Sequence, residues 1–175
     1  MNRNKAIKKL VMAALFAALT ALATMIHFHF PGAQTGHVNL GDCLVIASGV
    51  LLGPVYGSAA AAIGSALMDF IHGYTVYVLP TFVIKGLMAL AVSVIFHGLN
   101  KDKSRFKIIP IVLGGIVSEI IMILGYFVYE GLFIVDFAGA ALGIPGNILQ
   151  GITGIVTATV LLKVLKKSKI TNLLS

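Results

Sequence analysis

The chain has 175 residues, 58% of them hydrophobic and only 11% charged, with a net charge of +7 and a single cysteine. Several apolar runs approach the roughly 20 residues needed to cross a bilayer, which makes this an integral membrane protein: large enough for one helical bundle, 1–175, and too small for an added soluble domain. One cysteine, Cys43, excludes a disulfide framework and a thiolate metal cluster. The positive charge does not point to nucleic acid, because twelve of the thirteen basic residues lie in three clusters flanking apolar runs. These are Arg3, Lys5, Lys8 and Lys9; Lys101, Lys103, Arg105 and Lys107; and Lys163, Lys166, Lys167 and Lys169. Such clusters mark cytoplasmic flanks, and only Lys85 stands apart from them.

The first helix is expected over about residues 10–27. Its basic start and the Ala21-Leu22-Ala23 sequence resemble a cleavable signal, but the apolar run from Leu10 to Ile26 is longer than most signal cores. Ala13, Ala17 and Ala21 recur every fourth residue, with Ala14 and Ala18 beside them. A small-residue stripe lets another helix approach closely in lipid, either within the chain or as the docking face for a partner subunit. The loop 28–39 carries two glycines and a proline and is the candidate for a moving gate over a ligand. Asn39 and Asp42, spaced N-x-x-D, suit a cap for the next helix.

Two apolar runs follow, Leu44 to Leu52 and Val55 to Phe70, divided by Gly53-Pro54. Proline lacks an amide donor, disfavours helix just before it and suits the first position of a new helix. We therefore expect a tight hairpin of helices over 40–52 and 54–71. Further helices are expected over 80–98, 108–130 and 145–167, with Pro80, Pro110 and Pro145 at or near their starts. Parity supports the hairpin: the first two basic clusters share a side only if an even number of crossings separates them. The fold class is thus an all-α membrane protein, a bundle of six transmembrane helices with both termini cytoplasmic.

Charges at membrane depth are costly and normally face the bundle interior. At about 1.5 Å per residue, Lys85, Glu119 and Gln150 reach nearly one level, with Tyr126 and Asn147 slightly higher. Asp69 closes the third helix on the outer side, on one face with Ser58 and Ser65. The outer loops hold His29, His37, His72, Tyr74, Tyr77, Phe133, Asp136 and Phe137, an aromatic and weakly polar lid. A polar pocket opening outward follows. The alternative is an internal ion pair, Lys85 with Glu119 or Asp69, that holds helices together. Ser65 and the histidines at 27, 72 and 97 also admit an intramembrane hydrolase, although serines in membrane helices more often pack or bond their own backbone. A free-standing channel or facilitator is a third class. His27 and His29 are too few ligands to define a metal site.

The stretches AALFAALTALA at 13–23, VNLGDCLVIASGVLLGPVYGSAAAAIGSALMDF at 38–70, PTFVIKGLMAL at 80–90 and GIPGNILQGITG at 143–154 carry a resemblance that spans nearly the whole chain. It resembles the S component, the membrane-embedded substrate-binding subunit, of an energy-coupling factor (ECF) vitamin transporter. Within that group it is similar to the riboflavin-type branch often assigned to pyridoxine or hydroxymethylpyrimidine. The resemblance implies a vitamin site near the outer face that includes Lys85, Glu119, Tyr126, Asn147 and Gln150, with Asp69, Tyr74 and Asn39 added as neighbours. It also implies a contact of Ala13, Ala17 and Ala21 with a transmembrane T component, which carries two ATP-binding-cassette ATPases. No GxxxxGK[ST] loop occurs, so ATP would be bound by those partners, with no cofactor and no metal in this chain. The expected setting is a multi-pass protein of a bacterial plasma membrane. Lys85 suits an acidic oxygen, Glu119 a ring N–H or amine, and Tyr126 a stacked ring, which fits a small hydroxylated pyridine or pyrimidine. Riboflavin is the alternative, needing more aromatic wall than a chain without tryptophan offers.

Overall fold

The computed structural model describes residues 3–28, 38–100 and 107–168. Its elements are α1 (Arg3–Met25), β1 (His27–Phe28), β2 (Val38–Asn39), α2 (Gly41–Ile71), a short 3-10 turn (Thr75–Tyr77), α3 (Val78–Leu99), α4 (Ile108–Phe133), α5 (Phe137–Ala141) and α6 (Ile144–Lys167). Five helical segments among the described residues are long and apolar enough to cross a membrane. The two-residue strands pair antiparallel, His27 with Asn39 and Phe28 with Val38. They join the two ends of the expected gate, whose residues 29–37 lie outside the described residues, as do His29 and His37 of the lid.

The helix positions follow the apolar runs closely. Differences gather at the ends: α1 extends back through its basic cluster, α4 runs on to Phe133, and the short helix α5 was not expected. Pro80 and Pro110 fall at the third residue of α3 and α4 and Pro145 at the second of α6, where no helical partner is lost.

α2 spans 31 residues but is broken at Gly53, which has φ 82° and ψ −177°. A side chain would be strained there, and Pro54 then starts the second arm. The arms fold back on one another. Ser48 Oγ lies 3.1 Å from the Gly57 carbonyl oxygen, which it reaches as a donor, although nine residues of straight helix would separate them by about 13 Å. A methyl group at Gly57 would sit 2.5 Å from the Ser48 carbonyl oxygen. Val45 of the first arm and Ala61 of the second also share one packed cluster with Ile84, Met88, Ala89 and Met122.

Side-chain distribution is reversed relative to a soluble domain. Leucine, isoleucine and valine cover the outside, as at Leu10, Val55, Ile109 and Val160, while Asp42, Lys85, Glu119 and Gln150 are buried. In lipid the apolar effect does not drive helices together, so close packing of small residues and internal polar contacts must do so. Here α1 and α3 both pack extensively on α2.

That packing takes up much of the stripe of Ala13, Ala17 and Ala21, for which the sequence admits both a contact within the chain and a partner face. Ala13 and Ala21 are buried, and Ala17 is half-buried with its backbone against Gly64 of α2. The small residues of α1 that face outward are the stripe's neighbours, Ala14 and Ala18.

Candidate binding site

Asp42, the second residue of α2, is fully buried and would be an expensive lone charge in this position. Its Oδ1 takes the ammonium of Lys85 from α3, and its Oδ2 accepts from Gln150 Nε2 of α6 at 2.6 Å. Gln150 Oε1 in turn accepts from the backbone N–H of Asn39 at 2.8 Å and from Asn39 Nδ2 at 3.2 Å. Asn39 Oδ1 closes the series by accepting from the Gly41 N–H at 2.8 Å. One carboxylate and one amide thus tie α2, α3, α6 and strand β2 together. All four side chains lie within a tenth of full burial, where a satisfied network strengthens and a broken one is costly.

Above this network lies a recess of about 580 Å³, counting the part open to solvent. Thr24, Asn39, Ser65, Asp69, Tyr74, Tyr77, Thr81, Lys85, Tyr126, Glu130, Asn147 and Gln150 line it. These residues come from the C-terminal ends of α1, α2 and α4, the N-terminal ends of α3 and α6, strand β2 (Asn39) and the link and 3-10 turn before α3 (Tyr74, Tyr77). That end of the bundle is opposite to Lys8, Lys9, Lys107, Lys163, Lys166 and Lys167.

The wall is aromatic on one side. The Tyr126 hydroxyl lies 2.9 Å from Thr81 Oγ1, and the Lys85 ammonium is 5.7 Å from the Tyr126 ring centre. Tyr77 packs on Tyr126 with ring centres 6.4 Å apart and donates to Glu130 Oε1 at 3.2 Å. Tyr129 stands edge-on to Tyr77 at 5.6 Å and donates to the Val76 carbonyl at 2.5 Å, tying the 3-10 turn to α4. The His27 and His72 rings lie 4.9 Å apart, and His72 stands 6.4 Å from Tyr74, ring centre to ring centre.

Seven of the eight residues expected at a substrate site line this recess: Lys85, Tyr126, Asn147, Gln150, Asp69, Tyr74 and Asn39. Glu119 does not. It sits behind the network between α4 and α6, where a methyl group at Gly151 would be 3.0 Å from its Cβ. Both of its carboxyl oxygens are buried with no hydrogen-bond partner among the described residues. The expected ion pair exists with a different acid: Lys85 meets Asp42, not Glu119 or Asp69. Asp42 was misread as a helix cap. The residue before α2, Leu40, makes no side-chain cap, and Asn39 alone bonds locally. The signal available in the sequence was depth, since an acid at the outer end of the short first arm falls near the level of Lys85.

Ser65 faces the recess, whereas His97 Nδ1 lies 2.8 Å from the Ser93 carbonyl oxygen near the other end of α3. No serine–histidine pairing of Ser65 with His97 results.

Comparison with known proteins agrees with this architecture. A family model described as "ECF-type riboflavin transporter, S component" matches residues 4–167. A Pyrococcus woesei protein described as "Uncharacterized protein in gap 3'region" is 33% identical over 150 residues, covering 86% of this chain and 95% of its own. The "Thiamine precursor transporter HmpT" of Lactococcus lactis subsp. cremoris (strain MG1363) is 28% identical over 170 residues, covering 97% of this chain and 94% of that protein. A solved structure, "Structure and mechanism of the S component of a bacterial ECF transporter", superposes with a TM-score of 0.66 at 21% identity. It covers 91% of this chain and 96% of that one, and so shares the fold. The chain belongs to the family of ECF-type transporter S components, multi-pass membrane subunits of vitamin transporters and not enzymes.

Proposed function

We propose that this chain captures a small hydroxylated pyrimidine or pyridine from outside the cell and delivers it as the S component of an ATP-driven ECF importer. Hydroxymethylpyrimidine is the first candidate and pyridoxine the second. The observation that carries the reading is the polar recess at the end of the bundle away from the basic flanks, lined by seven of the expected residues. The relative named as a thiamine precursor transporter supports the pyrimidine. Riboflavin is kept as a second reading because the matching family model bears that description. The tyrosines of the recess, without any tryptophan in the chain, favour a single small ring.

In this reading the chain crosses the membrane six times, the two arms of α2 each crossing once, with both termini and the 101–107 cluster in the cytoplasm. The positive-inside rule and the close contact between Ser48 and Gly57 support it. A T component and two ATPases complete the transporter, and those ATPases bind and hydrolyse the ATP. The outward face of α1, with Ala14 and Ala18 at its middle, is the contact surface we assign to the T component, in a bacterial plasma membrane.

Saturation binding of tritiated hydroxymethylpyrimidine, pyridoxine and riboflavin to the purified subunit tests the ligand. Saturable binding of the pyrimidine is expected. No binding of any of the three would remove the vitamin assignment.

A further inference from the structure

Resting on that reading, we propose that Asp69, with Ser65 one turn below it, is the pair that selects the ligand. Asp69 accepts a hydrogen bond from an exocyclic amine and Ser65 donates to the neighbouring ring nitrogen. The site therefore takes an amino-substituted heterocycle in preference to its oxo counterpart or an anion.

Three observations lead there. The first is charge. Asp69, Lys85 and Glu130 are the charged residues lining the recess, and Lys85 is already paired with Asp42. The positive charge that would receive an acidic oxygen is thus neutralised before any ligand enters, while Asp69 presents a carboxylate to the recess. Glu130 accepts from the Tyr77 hydroxyl.

The second is satisfaction. Asp69 is 6% exposed, and its Oδ2 has no hydrogen-bond partner among the described residues; Thr81 lies beside the carboxylate. Ser65 is 2% exposed and its Oγ is likewise without a partner. Buried polar atoms are nearly always paired, so two orphans on one wall of a recess point to groups that arrive with the ligand.

The third is register. Residues four apart on a helix share a face, so Ser65 and Asp69 present one hydroxyl and one carboxylate along the same wall. A carboxylate accepts only, whereas a hydroxyl both donates and accepts. An amine beside a ring nitrogen offers the matching donor and acceptor. An oxo group beside a ring N–H reverses the pattern and sets an oxygen against the carboxylate.

The test uses the purified full chain and two pyrimidines of the same shape: 4-amino-5-hydroxymethyl-2-methylpyrimidine and its 4-oxo analogue. Wild type is expected to bind the amine tighter by about 10-fold or more, the scale of one hydrogen bond to a charged acceptor. Asp69→Asn, whose amide can turn to donate, should weaken the amine by about 10- to 100-fold and narrow or invert the ratio. Ser65→Ala should weaken the amine by a few-fold to about 10-fold. Thermal unfolding of each variant establishes that it is folded, and the wild-type ratio stands without any variant. Equal binding of the two pyrimidines by wild type overturns the inference, as does an unchanged ratio in folded Asp69→Asn. Binding of pyridoxine or riboflavin but of neither pyrimidine overturns it and leaves the vitamin-binding role standing. Failure of all four compounds removes both.

Discussion

Replacing Lys85 by methionine keeps most of the side-chain volume and removes the charge. Asp42, with no exposure, would then keep its carboxylate with Gln150 Nε2 as its remaining hydrogen-bond donor. Removing one partner of a buried ion pair costs about 3–5 kcal/mol, because the other charge is stranded away from water. For a domain of this length, that corresponds to a fall in Tm of roughly 6–20 °C. Asp42→Asn alone should cost a similar amount by stranding Lys85. The double variant Lys85→Met/Asp42→Asn has no stranded charge, and the new amide oxygen can still accept from Gln150. It should therefore recover at least half of the loss of either single variant. Thermal unfolding of the four proteins in one detergent gives the coupling directly. If the double variant lost the sum of the two single losses, Lys85 and Asp42 would be energetically independent, and the network described above would be wrong at its centre.

Gln150→Leu removes the acceptor for both Asn39 contacts, so the strand beside the gate loses its tie to α6; ligand release measured after dilution should quicken by about 10-fold or more. An unchanged release rate would refute that tie. Gly64→Val drives a side chain into the Ala17 carbonyl and should cost about 1–3 kcal/mol, while Gly98→Ala, with open space around it, should leave the Tm unchanged within about 2 °C. Equal effects at the two positions would contradict the α1–α2 contact. Ala18→Phe should leave ligand binding intact and abolish copurification with the T component, whereas Ala17→Phe should lower the Tm of the isolated chain. Full assembly with Ala18→Phe would remove the outer face of α1 as the docking surface.

Most of the architecture was legible because lipid imposes coarse rules that a sequence obeys in plain sight. Apolar run length marked the helices, and four prolines marked where they begin. Gly53-Pro54 located the break in α2 to the residue, since the required positive φ and the missing amide are properties of those two residue types. Depth counting brought Lys85, Tyr126, Asn147 and Gln150 to one recess, because helices of known rise starting from one side reach the same height. What depth cannot supply is rotation about the helix axis. Glu119 stands at the right level and turns behind the network, and the alanine stripe was located while its direction was left open. Pairing was also hidden. Asp42 reads as an end-of-helix residue in one dimension, and only the fold brings it to Lys85 and, 108 positions along the chain, to Gln150.

Backbone meets backbone at several crossings of this bundle. A methyl group at Gly49 would lie 2.5 Å from the Ala89 carbonyl oxygen, and one at Gly114 would lie 3.2 Å from the Val92 Cα. Surfaces in that kind of contact have no soft layer of side chains to shear, so sliding one helix past its neighbour means steric collision before any gain. The helices in such contact form one stiff block, so a ligand entering the recess meets walls that are set before it arrives.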